Sequence, residues 1–276
     1  MPIGTFPIRE IFGYPPENAS PEARKARDSH HCPFLDKRCV KESRRLDYPF
    51  GACSVRQIKD EREIVICPMR FYGDNQSIIE EVGRRLCKEA ACLVRIPEVR
   101  VGRFSIDWVV ACCDASGTLV DYHGVEVVAA DTTGSLDRYF EAYMKEEDWQ
   151  NVRQRYGINW ANVYKRTLPQ LIAKGALLAS YGKKLGIILQ DRLLERLRTR
   201  LTIPVESESS ANMFFFLYRL KYLTETQRYS LTLSEVIPTL AERLTAEYVA
   251  GLTRGIGMPS REEFEQTILS RIQRTG

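Results

Sequence analysis

Hydrophobic and polar positions divide the 276-residue chain into two stretches of different character. Residues 1–75 mix Pro, Gly, Cys and charge with no long amphipathic period, so they are expected to be irregular and to need some staple other than a core. From Asn75 the pattern changes. Ile78, Ile79, Val82 and Leu86 recur at helical spacing, and Phe104–Cys113 is a run of β-branched and aromatic residues that predicts a strand. Asp114–Thr118 is a turn sequence and Leu119–Ala130 predicts a second strand, so the two are expected to form a hairpin. The pattern then predicts helices near 136–150, 160–181 and 189–200, a short buried strand at Met213–Tyr218, and helices near 234–248 and 260–273. Ser260 and Glu263 have capping-box spacing for the last of these. The expected class is α/β or α+β around a mixed central sheet flanked by helices, with a small module over 1–75 and the main core with its C-terminal helices over 76–276.

Two acids stand out because each interrupts a strand that is otherwise nearly all apolar. Asp107 and Glu126 lie on opposite arms of the hairpin. With the turn centred on Ser116, Asp107 falls opposite a residue between Gly124 and Glu126. In one of these registers the two acids share a face; in the alternative, Glu126 points the other way and is an acid at a sheet surface. Like charges directly across a ladder repel, so the shared-face arrangement makes sense mainly when a cation sits between them. Mg²⁺ suits such a site, since it takes one or two carboxylates and completes its shell with water and phosphate. Such an ion assists phosphodiester hydrolysis by lowering the pKa of a bound water and offsetting charge on the phosphate.

Composition and charge narrow the classes. Hydrophobic content of 44% is ample for a packed core. The longest apolar runs, Val109–Cys113 and Met213–Leu217, fall far short of a membrane span, and Met1–Phe6 lacks the basic start and apolar stretch of a signal peptide. A cytoplasmic location is therefore expected. The net charge of +4 decides little, because phosphate neutralisation depends on where Lys and Arg sit. Candidate basic stretches are Arg84-Arg85 with Lys88, Lys165-Arg166, Lys183-Lys184 and Arg192 through Arg200; each also fits a solvated helix face.

The residues around the hairpin carry a resemblance. Phe104–Trp108, Gly124–Ser135 and Asn162–Gln170, in this order, resemble segments of the NotI family of restriction endonucleases, of the PD-(D/E)xK nuclease superfamily. The likeness begins earlier, at Phe12–Pro15, Cys32–Phe34, Cys39–Lys41, Gly51–Val55 and Cys67-Pro68, and spans about residues 11–180, with a fainter echo around Ser207–Leu244. It implies a PD-(D/E)xK nuclease core in which Asp107 and Glu126 hold the catalytic metal, with the Val127 carbonyl as an additional ligand. One position departs from the pattern. The third motif residue, usually Lys and in the NotI enzymes Gln, is here Val128, which can neither donate a hydrogen bond nor hold a charge.

Helix 160–181 offers a replacement. Val163, Leu171, Leu177, Leu178 and Tyr181 form its expected apolar side, and Gln170 and Lys174 are expected to project from the middle of that side. In that position either side chain would orient the attacking water or a phosphate oxygen in place of the missing group at 128. The alternative is that Thr167 and Gln170 form a capping box around Pro169 while Lys174 snorkels to solvent.

Cysteines supply the remaining chemistry. In a reducing compartment, clustered cysteines are better read as metal ligands than as disulfides. Cys32, Cys39, Cys53 and Cys67 lie in the segment poorest in apolar residues. Four thiolates around one ion make a closed structural site that suits Zn²⁺ or iron, and the resemblance favours iron. Cys87, Cys92, Cys112 and Cys113 are expected to be ordinary helix or strand cysteines. His30 and His31 are read as ligands, DNA contacts or solvated loop residues, and His123 is expected to face away from Glu126.

The combined expectation is a homodimeric type II restriction endonuclease that cuts both strands of double-stranded DNA at a short palindrome, the dimer following from the symmetry of such a target. A GC-rich target is implied by the resemblance alone, with Arg100, Arg103, Arg138 and Arg155 as open candidates for reading guanine. The alternative is a sequence-specific DNA-binding protein whose nuclease centre is inactive.

Overall fold

The computed structural model describes residues 6–57, 62–102, 104–153 and 155–254, together with 260–263, 265, 266 and 268 of the final segment. In chain order the strands and helices are β1 (Ile8–Ile11), α1 (Pro21–Asp28), β2 (His31–Cys32), β3 (Lys37–Arg38), β4 (Ala52–Arg56), β5 (Glu63–Val65), α2 (Ser77–Leu86), β6 (Cys92–Val101), β7 (Phe104–Cys113), β8 (Leu119–Val128), β9 (Thr132–Gly134), α3 (Asp137–Met144), β10 (Tyr156–Ile158), α4 (Trp160–Asn162), α5 (Leu168–Ser180), β11 (Leu185–Gln190), α6 (Asp191–Arg198), β12 (Met213–Leu223), β13 (Arg228–Thr239) and α7 (Ala241–Arg254).

Six of these strands form a mixed α+β sheet in the order β13-β12-β11-β8-β7-β6. β11 runs parallel to both β8 and β12, and the other neighbours are antiparallel. The hairpin β7–β8 forms where the sequence placed it, around the Asp114–Thr118 turn. α2 lies on one face of the sheet, burying Ile78, Ile79, Val82 and Leu86 against Val125, Ile188, Phe214 and Phe216, so the four residues at helical spacing are its inner stripe. The other face is covered by α5, α6 and α7 through Leu171, Leu178, Leu193, Leu197 and Leu244.

Three elements differ from the sequence expectation. Residues 185–190 form β11, a central strand buried at every position; the pattern assigned no element to 185–188 and began a helix near 189, where the strand still runs. A parallel strand covered on both faces is a continuous apolar run with no alternation, so periodicity alone does not separate it from a buried helix. The helix expected over 234–248 is instead the second half of β13 followed by α7. Val236, Ile237, Leu240 and Leu244 mimic helical spacing, but β12 offers a partner along the whole of β13, and Pro238 is tolerated because β13 is an edge. β6 was not anticipated at all; it completes the sheet beside β7.

The N-terminal segment is more ordered than its composition suggested. β1, β4 and β5 form a three-stranded sheet, and Phe6, Ile8, Phe12, Phe50, Val55 and Ile64 join the same hydrophobic cluster as Leu136, Phe140 and Leu168. Its edge is tied to the large sheet by Gln190, which accepts from the Val65 amide at 2.9 Å and donates to the Glu63 carbonyl at 2.8 Å. A disulfide joins Cys87, just after α2, to Cys112 on β7. Both had been expected as reduced cysteines; packing of α2 on the sheet brings their Cα atoms to 5.7 Å.

A buried charged cluster stitches the small sheet to the large one. Glu10, fully buried on β1, accepts from Arg70 Nε at 2.9 Å and from Ser54 Oγ at 2.7 Å, and Arg70 also donates to the Tyr229 carbonyl on β13 at 2.8 Å. Removing one member leaves a buried charge without its partner, which costs more than the intact pair contributes. Glu10→Ala is expected to lower the unfolding free energy by about 3–5 kcal/mol, measured by urea denaturation, whereas an exposed pair such as Arg84–Glu80 contributes little when removed.

Candidate active site and cysteine cluster

Trp108 pairs with Val125 and Val109 with Gly124, so the next step of the ladder sets Asp107 beside Glu126. There the regular ladder gives way to side-chain acceptors. The Asp107 amide donates to Glu126 Oε1 at 3.2 Å and the Val127 amide donates to Asp107 Oδ2 at 2.9 Å. The two acids therefore share the sheet face covered by α5. From that helix Lys174 donates to Glu126 Oε2 at 2.6 Å. Glu126 is 5% exposed and Asp107 is half-buried.

Close packing makes this contact geometrically available. A Cβ on Gly124 would meet Leu178 at 2.5 Å, and one on Gly175 would meet Met213 at 2.4 Å, so two glycines let α5 lie directly on the sheet beside the acids. Leu171, Lys174 and Leu178 fall on one helix face by their spacing of three and four, which delivers the amine to Glu126 while its neighbours pack.

The electrostatics are those of a site short of positive charge. Burial, then the neighbouring Asp107, pushes the Glu126 carboxyl up to about 7 despite its bond to Lys174. Burial also raises Asp107, with Glu98 adding to the effect and the Val127 amide and Lys174 opposing it. Glu98 is an acid the sequence reading passed over. Pro97 pairs with Trp108 and Val99 with Ile106, leaving Glu98 opposite Asp107 with a left-handed φ of 51°. The available signal was one acid in a β-branched stretch that also carries Arg95 and Arg100, and it means something only once β6 is known to be a strand.

The four N-terminal cysteines lie in one packing cluster. Cys32, Cys53 and Cys67 are buried in one cluster around Phe34, with Cys39 packed against it. Burial pushes the Cys32 thiol up to about 11 and raises Cys39 and Cys53 as well. Opposing this, the amides of Phe34 and Leu35 point to the Cys32 sulfur and that of Lys41 to the Cys39 sulfur. Thiols are the donor type a thiolate-bound cation takes, but no three of these four sulfurs lie within 4.8 Å of one another, so the cysteines share a packing cluster and do not form a closed ligand set.

A family model described as "Restriction endonuclease NotI" matches residues 19–231, a span that includes the four cysteines, both acids and Lys174. The chain belongs to the NotI restriction endonuclease family. No curated protein matches it. Membership makes the chain a nuclease of the restriction type, acting on double-stranded DNA. Among the described residues, no helix is long and apolar enough to cross a membrane.

Within this NotI-family site the structure sorts the proposed replacements for the third motif residue. Val128 is buried in the apolar cluster beneath α5. Lys174 reaches the acids and does not snorkel away. Gln170 is exposed and is not brought to them, contrary to the expected stripe. A π turn at Val163–Thr167 leads into α5, whose inner face is Leu168, Leu171, Ile172, Gly175 and Leu178; this orientation turns Gln170 and Tyr181 outward. No capping hydrogen bond forms at Thr167, because the chain is already helical there.

Other candidates stand apart from the acids. His123 is buried on the opposite face, as alternation predicted. Its Nδ1 accepts from the Lys184 amide at 3.2 Å, and burial lowers its pKa, so it is held neutral. Among the described residues the one group of three ligand-type atoms all within 4.8 Å is Cys87, Cys112 and His123, but there the disulfide consumes both thiols. His30 stacks on Tyr48 at 5.4 Å. Arg100, Arg138 and Arg155 are exposed on separate elements, and Arg103 lies outside the described residues.

The raised acid has a measurable consequence. With a folded pKa near 7 against an ordinary 4.5, Glu126 binds more protons in the folded than in the unfolded chain between those values. Stability of the metal-free protein is therefore expected to fall as pH rises from about 4.5 to 7. Thermal melting across this range checks the sign, and Glu126→Gln is expected to remove most of the dependence.

Proposed function

We propose that this NotI-family chain is a type II restriction endonuclease that cuts both strands of double-stranded DNA at a short, GC-rich palindrome, working as a cytoplasmic homodimer on a PD-(D/E)xK core. The observation that carries this reading is the cluster of Asp107, Glu126 and Lys174: two acids side by side on adjacent strands, Glu126 buried and Asp107 half-buried, with one amine hydrogen-bonded to Glu126. Asp107 and Glu126 would hold Mg²⁺, which supplies an acidified water and neutralises charge on the scissile phosphate. Hard oxygen donors, adjacent and short of positive charge, are what such an ion requires.

The chain's own residues then divide the work. The two carboxylates fix the position of the reacting phosphate relative to the sheet, while the Val127 and Asp107 amides hold the carboxylates in place. Lys174 takes the role that Val128 does not fill. Its Nζ, anchored on Glu126, lies where a lysine can orient the attacking water or donate to a phosphate oxygen as negative charge builds. Cys32, Cys39, Cys53 and Cys67 would hold one structural metal, with iron favoured over Zn²⁺ by family resemblance. This ion would tie together the loops that β2, β3 and β4 leave weakly connected.

A second reading has a specific observation in its favour: Val128 is apolar, which suits a DNA-binding protein whose nuclease centre is inactive. Incubation with plasmid DNA separates the two. Discrete fragments are expected with Mg²⁺ and none with EDTA, and intact plasmid under both conditions, alongside tight duplex binding, would favour the inactive form. Asp107→Asn and Glu126→Gln should abolish cutting, Lys174→Ala should slow it by about 10²–10⁴, and Gln170→Ala should leave it near the parent rate. Elemental analysis of the purified protein is expected to find one iron or zinc per chain. Cys53→Ala should lose the metal and melt at lower temperature.

A further inference from the structure

The basic stretch Arg192–Arg200 takes no part in the site above, yet it lines a groove with a definite chemical character. Two adjoining cavities, of about 600 and 330 Å³, share Ile158, Trp160 and Arg196 as a common wall. Arg62 and Arg192 stand at one end and Arg200 at the other. Among the described residues lining the groove, four arginines stand against one acid, Glu195, which accepts from Arg192 at 2.9 Å and pairs with Arg62 at 3.4 Å. Arg196 and Arg200 are exposed and form no ion pair among the described residues; Arg200 lies 5.7 Å over the Tyr164 ring. The described lining residues carry four arginines and one glutamate, three net positive charges, against +4 for the whole chain.

We infer that this groove binds the sugar–phosphate backbone of the DNA flanking the cleavage position, with Arg196 and Arg200 as its phosphate contacts. The inference rests on the nuclease reading for its substrate but not for its geometry. Arg192, Arg196 and Arg200 recur every fourth residue, so their guanidinium groups follow one side of α6 and the turn beyond it at intervals of about 6 Å. That interval matches successive phosphates along one strand. Arginine is suited to the task because its planar fork meets a phosphate with two parallel N–H donors. Trp160 in the shared wall offers a flat apolar surface for a sugar or an exposed base. Leu193, Leu194 and Leu197 are buried beside the arginine row, and Leu193 and Leu197 form part of the floor of the second cavity.

The groove also extends from the helical run that carries Lys174 to the acids. Trp160 and Lys174 belong to one helical run, fourteen residues apart, so the groove wall and the amine are separated by about 20 Å along the axis. About six nucleotides of one strand span such a distance.

The test uses the full chain carrying Glu126→Gln, with a fluorescein-labelled 30-base-pair GC-rich duplex in EDTA, and reads anisotropy from about 50 to 200 mM KCl. Losing two phosphate contacts in Arg196→Ala/Arg200→Ala is expected to reduce the slope of log K against log salt by about 1.8 and to weaken binding at least tenfold at the lower salt. Arg196→Lys/Arg200→Lys should recover most of the slope, which a merely structural role would not predict. Arg84→Ala, on α2, should leave it unchanged. In the otherwise unaltered enzyme the double alanine variant should raise KM and leave kcat alone. An unchanged slope in a double variant that melts like the parent would overturn the inference, as would absence of duplex binding by the parent. Cleavage is read separately: a reduced slope in a chain that never cuts DNA leaves the groove standing and removes the nuclease centre, whereas normal cutting with an unchanged slope removes the groove alone.

Discussion

Two carboxylates held side by side and largely withdrawn from water repel each other and lose hydration, and a single amine does not cancel both charges. This imbalance at Asp107 and Glu126 is the constraint around which the molecule is arranged. It is tolerable because backbone amides donate to both acids and Lys174 closes on Glu126. It remains unrelieved enough to hold Glu126 near neutrality in its proton affinity. Sites whose charge is poised this way are where chemistry is expected.

The rest of the sheet serves that arrangement. β8 carries Glu126 and is flanked by β7, which carries Asp107, and by β11, whose six buried residues anchor the parallel centre of the sheet. α5 follows the π turn and settles on this centre through Gly175 and opposite Gly124, so the approach of Lys174 depends on two absent side chains. Val128 shows the other side of the exchange. Val128 is part of the apolar floor, and the amine beside the acids comes from α5.

The N-terminal sheet and the arginine groove extend the same frame outward. The buried Glu10–Arg70 pair and the Gln190 bridge bind the small sheet to the large one, so the cysteine cluster is carried on a platform continuous with the six-stranded sheet. On the flank, α6 buries three leucines and turns its arginines to solvent, concentrating charge that the overall composition dilutes. Phosphate recognition depends on such local density more than on net charge.

The sequence by itself determined the hairpin, its turn, the α2 stripe and the two acids that interrupt apolar strands. These are signals of short range: strand alternation, turn chemistry and a charge where none belongs can be read from a few neighbouring residues. Tertiary structure alone decided that residues 185–190 are a central strand, that 234–239 pair with β12 and do not coil, and that Glu98 faces Asp107. It also decided between two polar residues four apart on one helix, sending Lys174 inward to the acids and Gln170 out to water. A continuous apolar run has no period to reveal its partner, and the rotation of a helix about its axis is set by what it packs against. Neither is encoded in the segment itself.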